Sequence, residues 1–286
     1  MKLLLQLQSI TLLVGLAIIC TGCGAPKSPL DAETSLNLEP ANKLSDSDVP
    51  RELIKLAETN ELKLIKRSLH AYDSKPVRDY TCTFYEHERI GRQMQNPQII
   101  KVKFLQTPFS VAMKWTKNPP AADAVVYVSG EYKNSKGVSQ MVARPTGGIA
   151  SFFTGGSILR IPDCSEAMEH ARLPITEFGF RNNLTAMVEG YEVGLKAKRI
   201  EQEYGGAALV GKQKCIVLIR IFKDIPKHPP VKLATFFDVK TLLPVRFLGY
   251  DAGGKLVFDY RYTDIKINTG LKPSDFTPKA NGISNP

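Results

Sequence analysis

Apolar residues recur with a helical period early in the chain and with a period of two through most of the rest. Across residues 51–72, Leu62, Ile65, Leu69 and Tyr72 form one apolar stripe with charged residues between them, which predicts a helix that Pro76 terminates. From 79 to 88 the pattern alternates, with Tyr80, Cys82 and Phe84 on one face, and a turn over 91–97 leads to a strand at 99–105, a hairpin arrangement. Val111, Met113 and Trp115 share a face of the next strand, and 125–128 is continuously apolar, as in a strand covered on both sides. A weaker strand at 140–143 opens into a loop, 145–157, in which Gly147, Gly148, Gly155 and Gly156 surround Ile149, Phe152 and Phe153.

Two helical pieces follow. Asp163 opens the first, with Glu166 three residues on as a capping box, and Thr176 opens the second, with Phe180, Leu184, Met187, Val188 and Tyr191 on one stripe. Segments 212–222, 232–238, 244–250 and 255–267 then form an antiparallel meander, with 251–254 turning between the last two. In the last segment Phe258, Tyr260 and Tyr262 hold one parity and Ile265 and Ile267 the other, so an extra residue near Thr263 or Asp264 makes a bulge. Roughly nine strands with local connections predict an α+β fold. Its expected form is one large curved antiparallel sheet, an unclosed barrel, with helices packed on its concave side.

The first residues change the picture of where this sheet works. Lys2 precedes an apolar stretch containing Leu12, Leu13, Val14, Leu16, Ile18 and Ile19, and small residues follow, the layout of a signal peptide over 1–22. With Gln6 and Gln8 upstream, the apolar run falls short of the ~20 residues needed to span a bilayer. Cys20-Thr21-Gly22-Cys23 resembles a lipobox, which implies lipid attachment at Cys23. Residues 23–50, rich in Pro and polar side chains, predict a disordered tether, followed by a single β-rich domain over 51–280 and a tail over 281–286. The expected location is extracytoplasmic and lipid-anchored. Gly24, where an aspartate would mark inner-membrane retention, points to the outer membrane, facing the periplasm.

Charge and candidate chemistry add less. A net charge of +10 suits nucleic acid in a cytoplasmic protein, but export removes that partner and leaves solvated basic faces such as Lys63, Lys66 and Arg67. Beyond Cys23, the cysteines Cys82, Cys164 and Cys215 allow at most one disulfide, and Cys82 and Cys215 lie within apolar strands, where a lone cysteine acts as a small hydrophobe. Glu86, His87 and Glu88 look like a metal cluster, yet alternation sends both carboxylates to one face and the imidazole to the other. Glu166 and His170 lack further ligands, and no phosphate loop or nucleophile elbow is present in the sequence. No metal, cofactor or catalytic residue is therefore expected.

Several segments together resemble an uncharacterised bacterial family, the domain of unknown function 1571: Asp79-Tyr80-Thr81-Cys82-Thr83-Phe84, Pro108-Phe109-Ser110-Val111, Val126-Tyr127-Val128-Ser129-Gly130 and Leu173-Pro174-Ile175-Thr176. That resemblance runs from Leu53 to Phe276. Phe237-Asp238, Leu243-Pro244-Val245, Tyr250-Asp251 and Tyr260-Arg261-Tyr262 are also similar to lipoprotein-carrier folds of the LolA/LolB type, which implies a curved sheet presenting a hydrophobic concavity to acyl chains. The expected function is noncatalytic binding of an acyl chain, lipid or lipoprotein, with an envelope interaction or sensor protein as the alternative. The expected lining is Val111, Met113, Trp115, Phe258 and Tyr260, with Ile149, Phe152 and Phe153 as a lid at its mouth.

Overall fold

The computed structural model describes residues 43–147, 156–223 and 230–286. Among these residues thirteen antiparallel strands make one sheet. They are β1 (Lys43–Leu44), β2 (Asp79–Ile90), β3 (Gln93–Met94), β4 (Gln98–Leu105), β5 (Ser110–Lys117), β6 (Ala122–Val128), β7 (Met141–Pro145), β8 (Ile158–Arg160), β9 (Ile200–Val210), β10 (Gln213–Phe222), β11 (Lys232–Asp238), β12 (Pro244–Tyr250) and β13 (Leu256–Ile267). Their order is β1-β9-β10-β11-β12-β13-β2-β4-β5-β6-β7-β8, with β3 paired only to β2, and the sheet is not closed. Two meanders, β2 to β8 and β9 to β13, are thus joined at a seam where the last strand pairs with an early one, Tyr262 opposite Phe84 and Tyr260 opposite Glu86.

The expected bulge is present in that seam. Thr263 pairs with Thr83 and Lys266 with Thr81, so Asp264 and Ile265 together oppose Cys82. Asp264 adopts φ 52, and its carboxylate accepts a hydrogen bond from Thr83 at 2.8 Å. The bulge moves Ile265 and Ile267 to the core side although their parity differs from that of Tyr262.

Four of the thirteen strands, β1, β3, β8 and β9, were not expected from the alternation pattern. The longest of them, β9, carries Gly205-Gly206 in its middle, so its side chains do not alternate legibly. The glycines are there for space: a Cβ on Gly205 would lie 2.9 Å from both Val217 and Ile219 of β10. Gly206 takes φ +87 beside the register shift between Ile216 and Leu218.

Helices α1 (Arg51–Thr59), α2 (Glu61–Ser74), α3 (Ser165–Met168) and α4 (Phe180–Lys196) and four short 3-10 turns complete the described elements, and no helix among them is long and apolar enough to cross a membrane. The single early helix expected from the sequence is divided at Asn60, whose backbone leaves the helical region and whose side chain caps α2 by accepting from the Lys63 amide. The helix expected to start at Thr176 starts at Phe180, because Gly179 at φ +123 must pass close to the Phe104 ring, 2.9 Å from where a Cβ would stand. Asp163 is not a cap either; α3 begins after Cys164 with no side-chain cap.

One large core joins α1, α2 and α4 to one face of the sheet through Leu53, Leu64, Ile65, Phe180 and Leu184 and the strand residues Tyr80, Phe104, Ile216 and Phe236. Phe180 packs on Tyr80 and Tyr262, with both centroid separations 4.9 Å. Cys82 and Cys215 are buried free thiols in this core, and burial pushes both thiols up. The opposite face of β4 to β7 is covered by the last residues of the chain. There Phe276 and Ile283 pack on Leu105, Ala112, Ala124, Val126 and Val142, so the continuously apolar β6 is covered on both faces, as expected.

Glu61 is nearly fully buried where α2 meets α4, and it accepts a hydrogen bond from the Tyr191 hydroxyl at 2.9 Å. Its second oxygen has no partner among the described residues, and burial raises the carboxyl to about 8. The folded state therefore favours the protonated acid. That stability is present below the ordinary carboxylate range and lost as pH rises toward 8. Thermal melts of Glu61→Gln against wild type should diverge above pH 5, the variant gaining on the order of 1 kcal/mol per pH unit until the shift is exhausted. Phe276→Ala, which empties the centre of the outer cluster, should cost about 3 kcal/mol in denaturant unfolding.

Candidate functional site

The sheet is wider than the helices that cover it. Over β4 to β7 the cover is the segment 158–178, which holds only the short strand β8, the short helix α3 and a single turn at Ile175–Glu177. Between this segment and the sheet lies a cavity of about 410 Å³, within the ~300–1,000 Å³ range of ligand pockets. Its floor is made by inward-facing side chains of adjacent strands: Phe84 on β2, Met113 and Trp115 on β5, Val125 on β6, and Phe258, Tyr260 and Tyr262 on β13. Ile158 of the edge strand β8 extends this floor, and Pro162, Leu173, Ile175 and Phe178 form its cover.

The late start of α4 has a local consequence. Phe178 stays extended and is delivered into an aromatic group with Phe84 at 5.5 Å and Tyr262 at 5.7 Å. Phe84 also packs on Tyr260 at 5.8 Å, and Phe258 stacks on Tyr260 at 4.7 Å. Leu173, by contrast, is 60% exposed at the rim.

Polar groups enter this wall on one row. Tyr260, Glu86 and Gln98 are cross-strand partners on β13, β2 and β4. Gln98 accepts a hydrogen bond from the indole N–H of Trp115. The Tyr260 hydroxyl donates to Glu88, whose other oxygen accepts from the Arg172 backbone N–H at 3.3 Å. Arg172 also donates from its guanidinium to the Arg89 carbonyl and lies over the Phe258 ring, so Glu88 fastens the cover to the sheet. Burial pushes both Glu86 and Glu88 above the usual carboxylate range; for Glu86, the neighbouring Glu88 pushes it further. The Tyr260 hydroxyl is pushed up as well, by burial and then by Glu88.

Of the residues expected to line a concavity, Met113, Trp115, Phe258 and Tyr260 meet on this wall, whereas Val111 is fully buried in the adjoining core. Ile149, Phe152 and Phe153, expected as a lid, and Cys23, expected as the lipid attachment, lie outside the described residues. His87 departs to the other face, where it sits against Tyr85, as alternation requires. Glu166 and His170 both border the cavity, and among the described residues no three acidic, His or Cys side chains gather to hold a metal.

Sequence reasoning weighed Glu86 and Glu88 only as metal ligands and so missed their place in the cavity wall. The available signal was parity: they continue the face of Tyr80, Cys82 and Phe84, which turns inward.

Residues 77–284 match the family model described as a protein of unknown function (DUF1571). The match begins after α2 and runs past Phe276 to the outer cluster. No curated protein sequence matches the chain. Among solved structures, the complex of MucA and MucB from Pseudomonas aeruginosa is similar at 14% identity and TM-score 0.44, over 77% of this chain and 61% of that one. Lipoprotein LppX of Mycobacterium tuberculosis is similar at 10% identity and TM-score 0.42, over 74% and 96%. A LolA superfamily protein from Nitrosomonas europaea is similar at 10% identity and TM-score 0.33, over 76% and 98%. The likeness in each case is one of fold.

Removing the donor to Glu88 tests how the cover is held. Tyr260→Phe keeps the stack on Phe258 but leaves a buried carboxyl oxygen unmatched. Urea unfolding should show a loss of about 1–3 kcal/mol.

Proposed function

We propose that this chain, which belongs to the DUF1571 family of proteins of unknown function, is a noncatalytic lipoprotein of the cell envelope that holds one acyl chain or lipid in the cavity beneath residues 158–178. The observation that carries this reading is the cavity itself. Protein interiors are close-packed, and an apolar void forfeits the contacts its lining would otherwise make. A chain that keeps about 410 Å³ open among Met113, Trp115, Val125, Phe178 and Phe258 gains most when an apolar guest fills it.

The rest of the reading supplies the setting. Lipid attached at Cys23 would tether the domain to the outer membrane on its periplasmic side, within reach of amphiphiles leaving a bilayer. The aromatic wall and the rim around Leu173 would admit a chain without any bond being made or broken.

The chain's single tryptophan lies on the cavity wall and reports directly on occupancy. Titration with a brominated acyl ester should quench Trp115 saturably at one equivalent. Met113→Asp, which places a charge on the floor, should weaken the binding at least tenfold while circular dichroism stays unchanged. Absence of quenching in wild type would reject the reading.

A further inference from the structure

On the strand side of the cavity, among the described residues, one polar side chain has no hydrogen-bond partner. Of the row Tyr260, Glu86 and Gln98, the tyrosine hydroxyl is committed to Glu88 and the glutamine oxygen to Trp115. The half-buried Glu86 side chain borders the cavity and has no hydrogen-bond partner among the described residues. A carboxyl that faces an apolar cavity without a protein partner is matched by a guest atom that brings a hydrogen-bond donor. The surrounding charge excludes one class of guest. Glu88 stands two positions away on the same face, and among the described residues the lining also includes Glu166 and Glu177 against one fixed cation, Arg160. Arg172, above the Phe258 ring, is held by Glu88 and the Arg89 carbonyl.

We propose that Glu86 selects the guest's polar end, so that the cavity takes long-chain amphiphiles ending in a hydrogen-bond donor, a hydroxyl or an amine, and rejects fatty-acid anions. This rests on the reading of the cavity as an acyl-chain site and specifies the headgroup chemistry within it. A hydroxyl donates to the Glu86 carboxyl; an amine makes the same contact as a charge-assisted bond. A carboxylate offers no proton and adds a negative charge beside two carboxyls that already disfavour ionisation together.

The test uses the full chain, with bromododecane as a headgroup-free probe that quenches Trp115, and measures its displacement by dodecanol, dodecylamine and dodecanoate. Wild type should bind dodecanol and dodecylamine at least tenfold more tightly than dodecanoate. Glu86→Leu should erase that preference while leaving bromododecane affinity within about threefold. Glu86→Gln, which keeps an acceptor and nearly the same shape, should retain dodecanol and lose the added affinity for dodecylamine. Equal or tighter binding of dodecanoate by wild type, or a preference that survives in both variants, overturns the headgroup assignment while the acyl-chain site stands. Failure of bromododecane to quench wild type overturns both.

Discussion

The pairing of β2 with β13 is the constraint on which the rest of the molecule depends. It joins residues as far apart as Tyr80 and Ile267, 187 positions along the chain, and without it the two meanders are separate half-sheets with exposed edges. Closing so long a loop costs entropy, and the seam offsets it by concentrating large side chains on one face. Tyr80, Phe84 and Tyr262 lie on or beside the seam and meet Phe180 of α4 and Phe178 before it. Fully burying each such ring contributes roughly 1.5–3 kcal/mol, so this group alone is a large share of a marginal total.

The cavity follows from the same arrangement. The helices sit where α1, α2 and α4 can reach β9 to β13 and the near strands of the other meander. The far strands β4 to β7 receive their second layer from the C-terminal residues on one face and from the segment 158–178 on the other. A cover with so little regular structure cannot fill the space a helix would. The space left beneath it is bounded by seam residues, Phe84, Tyr260 and Tyr262.

Carboxyls placed inside by strand or helix pattern carry different consequences in different surroundings. Glu61 is answered by Tyr191 and lies near Arg220, whose guanidinium stacks over the Tyr191 ring at 4.9 Å. Glu88 is matched on both oxygens and serves as a fastener. Glu86, one side-chain position further along the same face of β2, borders open space instead of a partner. Three glutamates with one intrinsic chemistry are thus separated into a buried acid, a structural clasp and a cavity-facing carboxyl by what stands opposite each.

Local pattern determined what depends on neighbours in sequence. The inward parity of Tyr80, Cys82 and Phe84, the double burial of β6, the phase change that became the bulge at Asp264, and the stripe of α4 all follow from periods of two and 3.6, which backbone geometry imposes wherever one face is buried. Family membership was legible too, in short runs such as Val126-Tyr127-Val128 and Leu173-Pro174-Ile175. The tertiary structure decided what depends on distant partners. β9 was hidden because Gly205 answers to Val217 and Ile219 across the sheet, and α4 starts late because Gly179 answers to Phe104. Val111 and Met113 share a face and a strand, yet one is core and the other cavity wall, because only the strand and cover opposite them determine whether space is filled. A one-dimensional period specifies which way a side chain points; what it meets there is set by other segments of the chain.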